Sequence, residues 1–246
     1  MLSLSFLSSI KIERSEIQRP YVYPFSIPAL RNLKTLELHP KITFFVGENG
    51  SGKSTLLEAI AIAAGYNPEG GSGNFRFANK ASHSDLHHHI RLIRGVKRPK
   101  DGFFLRAESL FNLATEIEQL EAHAPEPFAR YGGKSLHEQS HGESFLNLIN
   151  HRFGNGLYIL DEPEAALSPS RQMSLLSIMH RLAKQQSQLI IATHSPIILA
   201  YPDSCIYSFS EKGIAPIQYQ ETEHFRVTRD FLNRTERMLM VILSDS

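Results

Sequence analysis

The sequence predicts an α/β fold with a mainly parallel central sheet flanked by helices and antiparallel strands near its start. Three observations predict it. Short apolar runs alternate along the chain with segments of helical periodicity. The first long helical segment is entered from an apolar run through a glycine-rich loop, GENGSGKS at 47–54. Two later runs, GLYIL and QLIIA, stop at polar residues, Asp161-Glu162 and Thr193-His194-Ser195. Strand ends that share one edge of a parallel sheet are where such folds gather their ligand groups.

The elements follow in order. MLSLSFLSSIKIERS is apolar but has no basic stretch before it, so it reads as a first strand, Leu4–Ile12, rather than a leader peptide. Strands are expected at Thr35–His39, Ile42–Val46, Gly102–Ala107, Leu157–Leu160, Leu189–Thr193, Cys205–Phe209 and Ile214–Tyr219. Helices are expected at Lys53–Ala64, His83–Gly95, Ser109–Glu121, Glu143–Arg152 and Ser170–Gln185. The last of these follows Ser168 and Pro169, a good cap and first-turn pair. Its stripe of Met173, Leu176, Met179 and Leu182 needs no explanation beyond packing. The helix at Glu143–Arg152 has Ser140 and Gly142 at its mouth and no evident acidic or proline cap. Gly65–Asn74 reads as a loop and Glu121–Lys134 as a Pro/Gly/Ala-rich connector. The segment HFRVTRDFLNRTERMLMVIL is expected to dock a helix on the core, with partner binding as the sharper alternative.

Composition bounds the function. The net charge is +1, so nothing global points to nucleic acid. The run Arg91, Arg94, Lys97, Arg98 and Lys100 reads as a solvated face, with nucleic-acid contact as the alternative. Cys205 is the one cysteine, which leaves neither an intrachain disulfide nor a cysteine metal cluster and favours a reducing cytoplasm. No apolar stretch is long enough to span a bilayer. His83 with His87, His88 and His89 would place two ligands on a helix face, but no carboxylate or cysteine cluster joins them.

The loop at 47–54 fits G-x-x-x-x-G-K-S between a strand and a helix. Each residue type has a physical task. Gly47, Gly50 and Gly52 let the backbone curl, so that N–H groups from Gly47, Glu48, Asn49, Gly50, Ser51, Gly52 and Thr55 can converge on phosphate oxygens. The helix mouth adds its positive dipole end. Lys53 would neutralise phosphate charge and Ser54 would ligate Mg²⁺. Asp161 would hold the Mg²⁺ shell. Glu162, one residue on, points elsewhere and can orient or deprotonate an attacking water. His194 can donate to a γ-phosphate oxygen.

In order, the phosphate loop, Ser140-His141-Gly142-Glu143, Asp161-Glu162 and His194 resemble the ABC-type ATPase family over Ile42 to Ile198. Within it the chain is most similar to SMC- and RecF-like head ATPases and to small stand-alone bacterial ATPases with an S-x-G-E signature. The resemblance implies a P-loop fold of ABC type, one domain over 1–246 with a short helical lid at about 109–140, and Mg-dependent ATP hydrolysis. It also implies a homodimer in the ATP state, in which Ser140 and Gly142 touch the γ-phosphate bound by the partner. The uncapped helix mouth would then be satisfied by the partner's ATP. Ala165-Ala166-Leu167-Ser168 stands at the family's D-loop.

The chain departs from the family at several positions. His141 and Glu143 replace the Gly and Gln of transporter cassettes. The Q-loop glutamine is missing, and Arg106 or Glu108 stands there. Tyr21, Tyr23 and Phe25 are the upstream candidates for stacking on adenine. The lid is too short for a long coiled coil. Three other readings stay open: an ATP-gated module controlling an effector such as a nuclease, a DNA-linked ATPase, and a transporter cassette.

Overall fold

The computed structural model describes residues 5–17, 19–72, 84–121 and 128–244. His83, Gly73, Asn74 and residues 122–127 of the expected connector lie outside the described residues. In chain order the first elements are β1 (Leu7–Ile12), α1 (Pro28–Arg31), β2 (Thr35–Glu37), β3 (Ile42–Val46) and α2 (Lys53–Ala64). Next come β4 (Ile90–Arg94), β5 (Asp101–Arg106), α3 (Leu110–Glu121), α4 (His141–Arg152) and β6 (Gly156–Asp161). The remainder is α5 (Pro169–Lys184), β7 (Gln188–Ala192), α6 (Pro196–Leu199), β8 (Cys205–Ser210), β9 (Gly213–Pro216), α7 (Glu223–Asn233) and α8 (Thr235–Leu243).

Two sheets form. The larger has six strands in the order β5-β6-β7-β3-β8-β9, parallel except for the antiparallel edge strand β9. The smaller is antiparallel, β2-β1-β4. Side chains alternate across the large sheet, as the pleat requires. Ile42, Phe44 and Val46 join one apolar cluster with Tyr158, Leu160 and the inner faces of α3, α4 and α5. Phe45 joins the other, with Leu157, Ile159, α2 and the small sheet. Burying each such side chain contributes about 1.5–3 kcal/mol, and both faces are covered, so these strands read as near-continuous apolar runs. Within the expected lid, α3 packs Leu110, Leu113, Ala114 and Ile117 into the first cluster.

One buried polar residue ties the sheets together. Gln188 Oε1 accepts from the backbone N–H of Phe6 (3.1 Å) and Leu7 (2.8 Å), and its Nε2 donates to Leu7 O (2.8 Å) and His39 O (3.0 Å). All its hydrogen-bonding capacity in this dry position is used, which is the condition for burying an amide at low cost.

Two expectations are corrected. The helix expected over His83–Gly95 is a 3-10 turn at Asp85–His89 followed by strand β4. Ile90 and Leu92 face inward while Arg91 and Ile93 face out, a period of two, and β1 supplies the backbone partners. Histidine and β-branched isoleucine are weak helix formers, so edge pairing wins. The histidine pair on a helix face goes with it: His89 packs edge-on against Phe25 and His87 Nδ1 meets Ser84 O at 2.8 Å. No group of three or more His, Cys, Asp or Glu side chains is placed to hold a metal ion among the described residues.

The segment from His224 onward makes two helices, not one, and none of their residues is buried. Among the described residues no helix is long and apolar enough to cross a membrane.

Candidate active site

The sheet order puts the predicted site residues along one edge. β3 lies beside β7, and β7 beside β6, all parallel. Their C-terminal ends therefore carry, side by side, the glycine loop, His194 and the pair Asp161-Glu162.

The loop leaves β3 at Gly47 and enters α2 at Lys53. Gly47, Gly50 and Gly52 have φ of +144°, +80° and +99°, which favours glycine. Space forbids a side chain as well: a methyl at Gly47 would stand 2.5 Å from Phe209 O, and one at Gly52 would stand 2.8 Å from Ile27 Cγ2. α2 has no side-chain cap, so its first N–H groups open into the loop. Lys53 is buried and donates to Gly47 O (2.7 Å) and Glu48 O (2.9 Å). Burial pulls its pKa down, against the opposing pull of Glu162, Asp161 and Glu164. Ser51 Oγ is buried in this cradle without a hydrogen-bond partner among the described residues. A cleft of about 730 Å³ runs from the loop to Ser208–Lys212 and to Thr222, Glu223 and His224. The cradle fits an oxyanion.

Asp161 ends β6, almost wholly buried. Its Oδ1 accepts from Ser54 Oγ at 3.0 Å, and its Oδ2 lies 3.5 Å from Arg106 Nε. Burial pushes this carboxyl up to about 6, while Arg106 and the Ser54 hydrogen bond oppose the rise. A desolvated carboxylate beside a hydroxyl is a hard-oxygen donor pair that suits Mg²⁺. Glu162 follows in the left-handed region (φ 48°, ψ 53°), held by its N–H on Ala192 O at 3.0 Å. That turn sends its carboxylate away from Asp161 and to His194, with Oε1 3.4 Å from Nε2. Glu164 fixes the strand end opposite: it accepts from Thr193 Oγ1 (2.7 Å) and from the His194 N–H (2.5 Å).

The Ser-His-Gly-Glu segment opens α4, and its expected lack of a cap is overturned. α4 begins at His141 with Ser140 as N-cap, and Glu143 Oε2 accepts from both Ser140 N–H (3.1 Å) and Ser140 Oγ (2.6 Å). This is the glutamate half of a capping box. Arg171 closes the corner, with Nη1 donating to Ser140 Oγ (3.1 Å) and Nη2 3.2 Å from Glu143 Oε1. Gly142 is required by proximity: a methyl there would stand 2.7 Å from Ala166 O, in the expected D-loop. Ser140 is exposed, and among the described residues no hydrogen bond joins it to the phosphate loop.

Other candidates separate cleanly. Phe25 is buried and packs in the core, so it is not free to stack on a ligand. Tyr21 is exposed, and Tyr23 is exposed beside the loop with its hydroxyl 3.4 Å from Thr55 Oγ1. Of the two Q-loop candidates, Arg106 reaches the site and Glu108 reaches Arg106, at 2.8 Å. Arg106 is also paired with Glu58 at 3.3 Å. Glu58, Glu164, Arg171 and His224 were not singled out from sequence. Glu164 could have been, since it sits two residues past Glu162 on the turn that follows β6; the others meet the site only through tertiary contact.

A glycine cradle closing on a lysine at a helix mouth, beside a buried carboxylate and a strand-end histidine, defines a P-loop nucleotide-binding domain. Two family profiles match the chain: an AAA domain over residues 24–121, and an AAA domain described as a putative AbiEii toxin of a type IV toxin–antitoxin system over residues 140–200. The energy-coupling factor transporter ATP-binding protein EcfA2 of Methanospirillum hungatei is 26% identical over 216 residues, which cover 78% of this chain and 52% of that protein. The DNA replication and repair protein RecF of Colwellia psychrerythraea is 62% identical over 32 residues, 12% of this chain and 8% of that protein. The SMC head domain from Thermotoga maritima superposes with a TM-score of 0.48 at 14% identity, covering 86% of this chain and 99% of that one. The chain thus spans about half the length of the first curated relative. By these matches the chain is similar to AAA- and ABC-type P-loop ATP-binding proteins.

Proposed function

We propose that the chain binds and hydrolyses Mg-ATP and closes head to tail with a second copy, so that each nucleotide lies between the phosphate loop of one protomer and the Ser140 corner of the other. The single observation that carries this reading is the division of the site. The cradle, Lys53, Asp161, Glu162 and His194 lie on one sheet edge, while Ser140 stands exposed at a separate helix mouth. A second copy brings the two halves together.

In this reading the backbone of Gly47–Gly52 and the first turn of α2 bind the phosphates. Lys53 leaves its two loop carbonyls for phosphate oxygens, and Tyr23 is the side chain placed to cover the base. Ser54 and Asp161 would hold Mg²⁺, which when bound neutralises phosphate charge. Glu162 accepts a proton from the attacking water, and His194 donates to the γ-phosphate. Positioning and charge supply most of the rate. In the partner's site, Ser140 offers its hydroxyl once Glu143 and Arg171 release it.

Complementation tests the shared site. Lys53→Ala and Ser140→Arg proteins should each be inactive, and mixing them in equal amounts should restore up to about a quarter of the wild-type rate, because about half of the dimers are mixed and each mixed dimer has one intact composite site of its two. Two inactive variants that stay inactive when mixed, from a wild type that turns over as a monomer, would sink the trans role of Ser140.

Arg106 gives a second prediction. Its guanidinium is the cation shared by Glu58, Glu108 and Asp161, at 3.3, 2.8 and 3.5 Å. Removing one partner of a buried ion cluster leaves charge uncompensated, so Arg106→Gln should destabilise the nucleotide-free protein by about 2–3 kcal/mol. Mg²⁺ would take over part of that neutralisation at Asp161, so the loss of melting temperature should shrink in Mg-ATP. An equal loss with and without Mg-ATP would mean that Arg106 is not coupled to the metal site.

The exposed apolar surface of α7 and α8 favours a partner as the output. Val227, Leu232, Met240, Val241 and Ile242 are all more than half exposed. A protein effector held or released by dimer state in the cytoplasm suits that surface better than a role read from the transporter or DNA-repair names of the relatives.

A further inference from the structure

We propose that His224, in the first turn of α7, is a positioning residue for His194: it holds the His194 ring through Nδ1 so that Nε2 carries its proton toward Glu162 and the phosphates. The inference rests on the reading of His194 as the γ-phosphate donor and adds the element that orients it.

His194 Nδ1 and His224 Nε2 are 2.9 Å apart, with the rings edge to face at 5.0 Å. Other contacts hold the backbone and the far ring nitrogen of His194. Glu164 holds the His194 N–H, and Glu162 Oε1 lies 3.4 Å from Nε2. A hydrogen bond between two imidazoles needs one proton between the nitrogens, which allows two arrangements of neutral rings. If His224 donates, His194 Nδ1 accepts and its Nε2 bears the proton, facing a carboxylate and able to donate to phosphate. In the reverse arrangement a bare Nε2 lone pair would face the Glu162 carboxylate and the phosphate oxygens, which repel it. The first arrangement is favoured, and it is the one that can donate. Burial, His194 and Lys53 all push the His224 pKa down, with Glu223 opposing, which keeps His224 neutral.

The attachment of α7 supports a positioning role. The helix has no buried residue, so it is held chiefly at its start. Thr222 caps it by accepting from Phe225 N–H (3.4 Å) and donates to Tyr219 O (2.7 Å). The Tyr219 hydroxyl in turn donates to Pro196 O (2.9 Å), two residues after His194. The two histidine segments are thus joined at the imidazole pair and again beside it, through Tyr219 and Pro196. Movement of the exposed helices would reach the site through His224.

The test compares full-length His224→Ala, His224→Gln and His194→Ala proteins by steady-state turnover, ATP binding, melting temperature and imidazole ¹⁵N NMR. A hydrogen bond worth about 1.4 kcal/mol corresponds to tenfold. His224→Ala should lower kcat about tenfold, with the KM for ATP within about twofold. Gln, whose amide can reach the same nitrogen, should recover most of the rate. The His194/His224 double alanine variant should be no slower than His194→Ala alone. In the wild type the His194 signals should be those of the Nε2–H tautomer, and in His224→Ala a mixture.

A His224→Ala protein with normal kcat beside a slow His194→Ala protein overturns this inference and leaves the sensor reading intact. A His194→Ala protein with normal turnover overturns the sensor reading itself. If His224→Ala fails to fold, the wild-type tautomer and the His224→Gln kinetics decide: an Nδ1–H His194 in the wild type, or a Gln variant that folds but shows a tenfold higher KM with kcat unchanged, overturns the proposal.

Discussion

Glu162→Gln protein should bind Mg-ATP as tightly as the wild type and hydrolyse it about 10²–10⁴-fold more slowly, the range for removing a positioned general base. The substitution keeps the side-chain volume and the ability to hydrogen-bond, and removes only the capacity to take a proton. The backbone argues for this residue over its neighbours. Asp161 is buried and committed to Ser54 and Arg106. Glu164 is committed to Thr193 and the His194 N–H. Glu162 sits between them at a positive φ of 48°, half-exposed beside His194. A strained turn that frees one carboxylate of three is a feature that local sequence preference does not favour. The same protein should stall in the closed state, so its solution mass should double in Mg-ATP and not in Mg-ADP. Near-normal turnover would remove Glu162 from the chemistry. A monomer in both nucleotides would remove the isolated homodimer.

Lys53→Ala should weaken ATP binding by roughly 10- to 150-fold, the equivalent of one hydrogen bond to a charged group at about 1.5–3 kcal/mol. Lys53 Nζ is held by two loop carbonyls, 2.7 and 2.9 Å away. Such a pre-positioned cation loses little freedom on meeting phosphate, which is why its removal should cost more than a surface lysine's. The variant also strips those two carbonyls of their donor, so the empty loop should be more mobile as well as less cationic. Equilibrium binding of a fluorescent ATP analogue checks it, and an unchanged dissociation constant would mean that the cradle is not a phosphate site.

Much of the parallel sheet and of the site was legible because both rest on local signals. A run such as ITFFV is apolar but for Thr43 because both of its faces are covered, and GENGSGKS is glycine-rich because a backbone that must curl cannot carry side chains there. Boundaries of the strands around the site agree with expectation to within one or two residues. Failures cluster where a partner element decides. IRLIR could be helix or strand by its own preference, and the free edge of β1 made it a strand. SHGES has no acidic residue or proline at the cap position, and its cap forms instead between Ser140 and Glu143 three residues on.

The sequence by itself determined the kind of site: the order of phosphate loop, signature, strand-end carboxylates and strand-end histidine, each set by chemistry confined to a few neighbouring residues. Only the tertiary structure decided how those groups are held. Arg106 beside Asp161, Arg171 across Ser140 and Glu143, and His224 against His194 all join residues far apart in the chain. The physical reason is that hydrogen bonds and ion pairs act over a few ångströms of space. Where distant segments meet is settled by the packing of the two apolar faces of the sheet, which no short stretch of sequence records.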